Sequence, residues 1–162
     1  MILAIDPGNT HSAWVALADD GTLKTGTLVD FGKVENMEML NHCRGVLPGT
    51  TVVIEKIASY GMAVGAEVFE TVFWSGRFAE AAEAEGATIC RIPRLEVKLQ
   101  ICRDSRAKDA NIRQALIDRW GGIQQTKKGG ALHGVSKDVW AALAVGVTYI
   151  EKRRLYEAGG AL

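Results

Sequence analysis

Cysteine is scarce in this 162-residue sequence: Cys43, Cys90 and Cys102 are odd in number, and no two stand as CxxC. That speaks against a disulfide framework or a zinc site and leaves buried free thiols. Long apolar runs are missing too, and no segment is bare enough of charge to cross a bilayer. The opening residues MILAIDPG carry neither the basic start nor the cleavage site of a secretory signal, so a cytoplasmic protein is expected. No repeat or low-complexity tract interrupts the chain, apart from a soft tail, EAGGAL. One domain with a real core is expected from the length. Net charge is absent only in the sum. Residues 1–90 hold 5 Lys+Arg against 12 Asp+Glu, and residues 91–162 hold 14 against 7. Charge sorted this way fits a partner of opposite sign, most often nucleic acid; a dipolar surface without a partner fits equally.

What is present reads as alternating strands and helices. MILAID is a buried strand; HSAWVALAD (11–19) and TLKTGTLVD (22–30) are two more, joined by a hairpin signal at Asp19-Asp20-Gly21. A short helix covers 34–46, Pro48-Gly49 turns the chain, and TTVVIEKI (50–57) is a β-branched strand. A long helix spans 63–86, and ATICRIP (87–93) is the next strand. Ser105 or Asp104 can cap a helix over 106–120 that Gly121-Gly122 end. After a polar, glycine-rich loop, Ser136 caps a last helix over 137–154. The order predicts an α/β fold with a mixed five-stranded sheet flanked by helices.

Three acids sit where elements end or begin: Asp6 after the first strand, Glu55 near the end of the fourth, Asp138 in the first turn of the last helix. If strands one and four are neighbours, their ends bring Asp6 and Glu55 together and the helix start delivers Asp138. Clustered carboxylates repel one another unless a hard cation neutralises them, and Mg²⁺ or Mn²⁺ prefers such oxygen ligands. A pair of these ions can activate water and stabilise a leaving oxygen on phosphate. Each acid also has a plainer use. Asp6 can cap the Pro7-Gly8 turn, Glu55 can pair with Lys24 or Lys56, and Asp138 suits a helix N-terminus by its charge alone.

MILAIDPGNTHSAWVAL, TTVVIEKI and KDVWAALAVGVTYI, in that order, resemble the three motifs of RuvC-type Holliday-junction resolvases of the RNase H-like superfamily. The stretches RAKDANIRQALIDRWGG and GVSKDVWAALAV look most like the phage-encoded branch. The resemblance covers the chain to about residue 155 and implies one resolvase domain over 1–155 with a flexible tail at 156–162. It implies Asp6, Glu55 and Asp138 as metal-binding carboxylates for two Mg²⁺ ions, Mn²⁺ being an alternative. The fourth ligand usual in cellular members falls at Val135, which cannot bind metal; His133, two residues earlier, is a substitute. Asp109 is set aside as a helix-interior residue flanked by Lys108 and Arg113, suited to an ion pair or a helix cap.

The resemblance further implies a homodimer through the 63–85 helix, suited to symmetric cuts in a four-way junction. That helix carries apolar residues on more than one face, which plain core packing also explains. Tyr60 would stack on an exposed base or is a loop tyrosine. Lys98, Arg103, Arg106, Lys108, Lys127 and Lys128 are candidate phosphate contacts. Lys128, beside Lys127 and flexible glycines, is the candidate for stabilising charge at the scissile phosphate. The implied activity is metal-dependent cutting of branched DNA to 5′-phosphate and 3′-hydroxyl ends, in the cytoplasm of the cell or of a phage host. Two other readings compete. IDPGNTHSAWVAL is similar to the first phosphate loop of sugar- or pantothenate-kinase-like ATPases, although a second Asp-x-Gly-Thr loop is lacking. A branched-DNA binding module that does not cut is the other.

Overall fold

A computed structural model describes residues 1–19, 25–59 and 61–159. Strand β1 (Ile2–Asp6) lies antiparallel to β2 (His11–Ala18), which pairs with β3 (Thr27–Glu35). After helix α1 (Asn36–Arg44), β4 (Thr51–Lys56) returns parallel to β1. Helix α2 (Ala66–Ala84) leads to β5 (Thr88–Pro93), parallel to β4. The sheet order is β3-β2-β1-β4-β5, the mixed five-stranded sheet that the element order predicts. Helices α3 (Arg94–Cys102), α4 (Asp109–Arg119) and α5 (Val139–Ala158) follow, with a 3₁₀ turn at Ile123–Thr126. No helix among the described residues is long and apolar enough to cross a membrane.

Helices cover both faces, so the central strands are apolar on both sides rather than alternating. Ala4 and Val53 face one way, onto Leu143, Val147 and Ile150 of α5. Leu3, Ile5, Val52 and Ile54 face the other, onto Met39, Leu40 and Phe78 of α1 and α2. Helix α5 approaches the sheet closely at Gly146, where a Cβ would sit 2.6 Å from Leu17 Cδ1 and 3.0 Å from the Ala4 Cβ. Cys43 is buried and its thiol is pushed up to about 12 by desolvation, whereas Cys90 and Cys102 are half-buried; all three are free.

Several expected boundaries move. The turn expected at Asp19-Asp20-Gly21 runs into residues 20–24, outside the described residues, and β3 runs on to Glu35. Helix α3 is unforeseen. Helix α4 starts at Asp109 rather than 106, because Asp104 Oδ1 accepts from the Arg106 N–H (2.8 Å) and closes a separate turn. Its cap position is Lys108, whose N–H donates to Asn111 Oδ1 (2.9 Å). Ser136 does not cap the last helix. Lys137 is left-handed (φ 45°), a conformation that no helical residue adopts, so α5 begins after Asp138, its N-cap. At its other end α5 stays helical through Ala158, past residue 156 where the tail was expected.

Candidate active site

Register decides which acids meet. Ile5 lies opposite Ile54 on the parallel strand, so Asp6 and Glu55 come one residue later on each. Side chains alternate along a strand, and both therefore point with Ala4 and Val53 toward the α5 side. There the N-terminus of α5 brings Asp138 and that of α4 brings Asp109. The four carboxylates line one cavity of about 190 Å³ with Arg94, Lys137, Ile112, Trp140 and Ala141.

The turn after Asp6 is held without its help. Ser12 Oγ accepts from the Gly8 N–H (3.2 Å) and donates to Asn36 Oδ1 (2.7 Å), and Asn36 Nδ2 donates to the Gly8 carbonyl (3.0 Å). Ser12 and Asn36 are buried, and a Cβ on Gly8 would lie 2.2 Å from the His11 carbonyl oxygen. Among the described residues no group donates to the Asp6 carboxylate. Burial pushes its pKa up to about 7, reinforced by the negative charge of Glu55 and, further off, of Asp138 and Asp109, and opposed by Arg94. An acid kept in this setting with no donor is costly unless a cation joins it.

Glu55 is not paired with Lys56, one of the two lysines proposed for it. Lys24 lies outside the described residues, and the partner of Glu55 is Arg94, whose Nη1 donates to Oε2 at 3.1 Å. Burial raises the Glu55 pKa, and Arg94 and Lys98 pull the other way. The second Arg94 nitrogen, Nη2, donates to Asp109 Oδ1 at 2.5 Å. Asp138 makes no side-chain bond to its own helix; its Oδ2 accepts from Lys33 Nζ on β3 at 2.5 Å. As they stand, no three carboxylate, imidazole or thiol groups among the described residues converge on a common point. Arg94 and Lys33 supply the positive charge instead. The donor set, all carboxylate oxygens around a half-buried acid with no donor, suits a hard divalent ion in charge and chemistry.

Asp109 is the residue that helix assignment hid: it opens α4 and is 87% exposed in its side chain, not interior. Arg94 and Lys137 were not singled out at all. The structure does not bring His133 to the cavity; it is exposed in the loop, and Val135 is buried in the core. Lys127 and Lys128 are exposed after the 3₁₀ turn and do not line the cavity. Lys98 shares a shallow groove with Arg94, Leu95 and Ser105. Arg103 ends α3 in a left-handed conformation and borders a separate hollow with Arg119 and Glu151. Arg106 and Lys108 are exposed between α3 and α4, and Tyr60 lies outside the described residues. Much of the remaining basic charge is spent internally: Arg119 pairs with Glu151, Lys152 with Glu96, and Arg153 and Arg154 with Asp19. None of the six cations proposed to meet phosphate is in an ion pair among the described residues.

On the opposite side of the sheet, α2 buries Ser75, Phe78, Ala81 and Ala82 but leaves Phe69 66%, Val72 44% and Phe73 57% exposed. Arg77 lies over the Trp74 ring at 4.6 Å.

The sheet order, the helices on both faces and the acids at the strand ends define an RNase H-like fold in its RuvC form. The structure of Thermus thermophilus RuvC superimposes with a TM-score of 0.70 at 20% identity, covering 95% of each chain. T. thermophilus RuvC in complex with a Holliday junction substrate gives 0.74 at 19% identity, over 95% of this chain and 94% of that one. The Fowlpox virus resolvase, solved with substrate Holliday junction DNA, gives 0.54 at 13%, over 94% and 99%. No family model matches the sequence, and none of the curated proteins does.

Proposed function

We propose that this chain is a metal-dependent endonuclease that resolves four-way and other branched DNA. The observation that carries the reading is that Asp6, Glu55, Asp109 and Asp138 line one cavity at the strand ends of a RuvC-like fold. Asp6, Glu55 and Asp138 would hold Mg²⁺ or Mn²⁺, two ions per site, and Asp109 is better placed than His133 to complete the set. Bound there, the metal would supply activated water and neutralise charge on the phosphate. The chain's own residues do the rest. The strands fix Asp6 and Glu55 in register, and the Ser12–Asn36 bonds hold the loop beside them. Lys137 lines the cavity and can offer positive charge to a phosphate drawn in. Hydrolysis would leave 5′-phosphate and 3′-hydroxyl ends.

Lys98, Arg103, Arg106, Lys108, Lys127 and Lys128 would hold the DNA backbone. Lys127 and Lys128, outside the cavity, suit docking better than transition-state stabilisation. A homodimer through the exposed face of α2 would present two sites to one junction. We place the protein in the cytoplasm, that of a host cell if the gene is phage-borne. The likeness of the fold to RuvC over 95% of the chain favours this reading over the kinase-like one.

The test is purified protein on four-way, three-way and linear DNA, with and without Mg²⁺. Cutting confined to branched DNA and dependent on the ion is expected. Binding without cutting in Mg²⁺ and Mn²⁺ alike would leave only the binding-module reading.

A further inference from the structure

Arg94 stands where a cation of the acidic cluster would stand. It is the first residue of α3, directly after Pro93 at the end of β5, and so stands at the junction of strand and helix. From there one guanidinium reaches two acids on different elements, Glu55 on β4 and Asp109 on α4. Its side chain is 25% exposed and borders two spaces at once, the acidic cavity and the groove shared with Lys98 and Ser105. A divalent ion held by Glu55 and Asp109 would compete for the same two carboxylates and repel the guanidinium at short range. The guanidinium needs another anion when that happens. A phosphate at the cavity mouth is the partner that its planar fork fits best, since it can be gripped by two N–H groups together.

We propose that Arg94 is a shared cation: in the DNA-free protein it occupies the place of metal between Glu55 and Asp109, and in the complex it turns to the scissile phosphate. Metal loading is thereby coupled to substrate, because the phosphate takes over the arginine that blocks the ion. No bond is made or broken in the exchange; two hydrogen bonds to carboxylates are replaced by two to phosphate oxygens. The proposal rests on the nuclease reading for its second half only.

The experiment compares wild type with Arg94→Gln and Arg94→Lys. It measures Mn²⁺ binding to the DNA-free protein by electron paramagnetic resonance and single-turnover cutting at saturating four-way junction. Arg94→Gln is expected to bind Mn²⁺ about tenfold more tightly without DNA, yet to cut about a hundredfold more slowly when saturated with both. Arg94→Lys keeps the charge but loses the fork, and should shift both readouts the same way by a smaller factor. It also stands in if Arg94→Gln does not fold. An arginine that only ties α3 to α4 would lower the melting temperature and leave Mn²⁺ affinity unchanged, which overturns the first half. A saturated cutting rate equal to wild type overturns the second. If wild type cuts nothing, the nuclease reading fails, while the Mn²⁺ measurement still decides whether Arg94 holds the ion's place.

Discussion

The cavity at the strand ends and the outer face of α2 are both open to solvent, but for opposite reasons. In the cavity the charges do not balance: Asp6 is half-buried beside three other acids and receives no hydrogen bond among the described residues. On α2 the charges are unremarkable and the apolar surface is in excess, with Phe69 and Phe73 more than half exposed. Helix α5 sharpens the contrast. It too is apolar on most of its surface, yet it is enclosed by the sheet, α3 and α4, and its start presents Asp138. An excess of like charge asks for a cation, and an excess of apolar area on one helix asks for a cover.

The largest effect should come from unbalancing the cavity further from its task. Glu55→Gln keeps shape and removes a charge, and should slow junction cutting by about a thousandfold or more. Junction affinity, read by gel shift, should stay within a few-fold; a rate close to wild type would detach the acids from the chemistry.

Next comes the face of α2. Phe73→Asp should convert a micromolar dimer to a folded monomer in light scattering, with little change in melting temperature, because Phe73 is 57% exposed and outside the core. A variant that stays dimeric, or that unfolds, removes the support for α2 as the interface.

A smaller effect separates the docking cations. Lys98→Ala with Arg103→Ala, and Lys127→Ala with Lys128→Ala, should each weaken junction binding and flatten its salt dependence by roughly one unit per charge lost. Saturated cutting should be nearly normal in both pairs. A hundredfold rate loss confined to the Lys127–Lys128 pair would return those lysines to the transition state.

The smallest is thermodynamic. With its pKa raised from 3.8 to about 7, folded Asp6 keeps a proton that the unfolded chain has lost. Stability of the metal-free protein therefore falls as pH rises across that window, and the loss is absent below it. Asp6→Asn should melt roughly 5 °C higher than wild type at about pH 8 and show a shallower decline from about pH 5. Equal melting curves would mean that Asp6 carries no burden in the folded state.

The sequence is informative where elements end on an unusual residue. Asp6 and Glu55 could be read as neighbours because an acid closing an apolar strand is costly, and a parallel pair brings both ends together. The arginine of the site was hidden by α3. In RLEVKLQIC the apolar residues alternate at Leu95, Val97, Leu99 and Ile101, a strand-like period. The chain nonetheless forms a helix that buries Val97 and Ile101, four apart, and leaves Leu95 and Leu99 exposed. With that helix unread, Arg94 had no address. Asp109 makes the ion pair expected of it, but with Arg94 and from the first turn of α4 rather than its interior, because the acid side chain at 104 closes its own turn and α4 begins three residues late. The left-handed Lys137 shifts the start of α5 in the same manner, and no spacing rule announces it.

The claim that the cavity's imbalance exists to hold a catalytic metal is tested most directly at Asp6. Single-turnover cutting and binding of a labelled four-way junction, measured with Asp6→Asn in saturating Mg²⁺, should give near-normal affinity and no detectable cutting. Cutting within a few-fold of wild type would contradict the account.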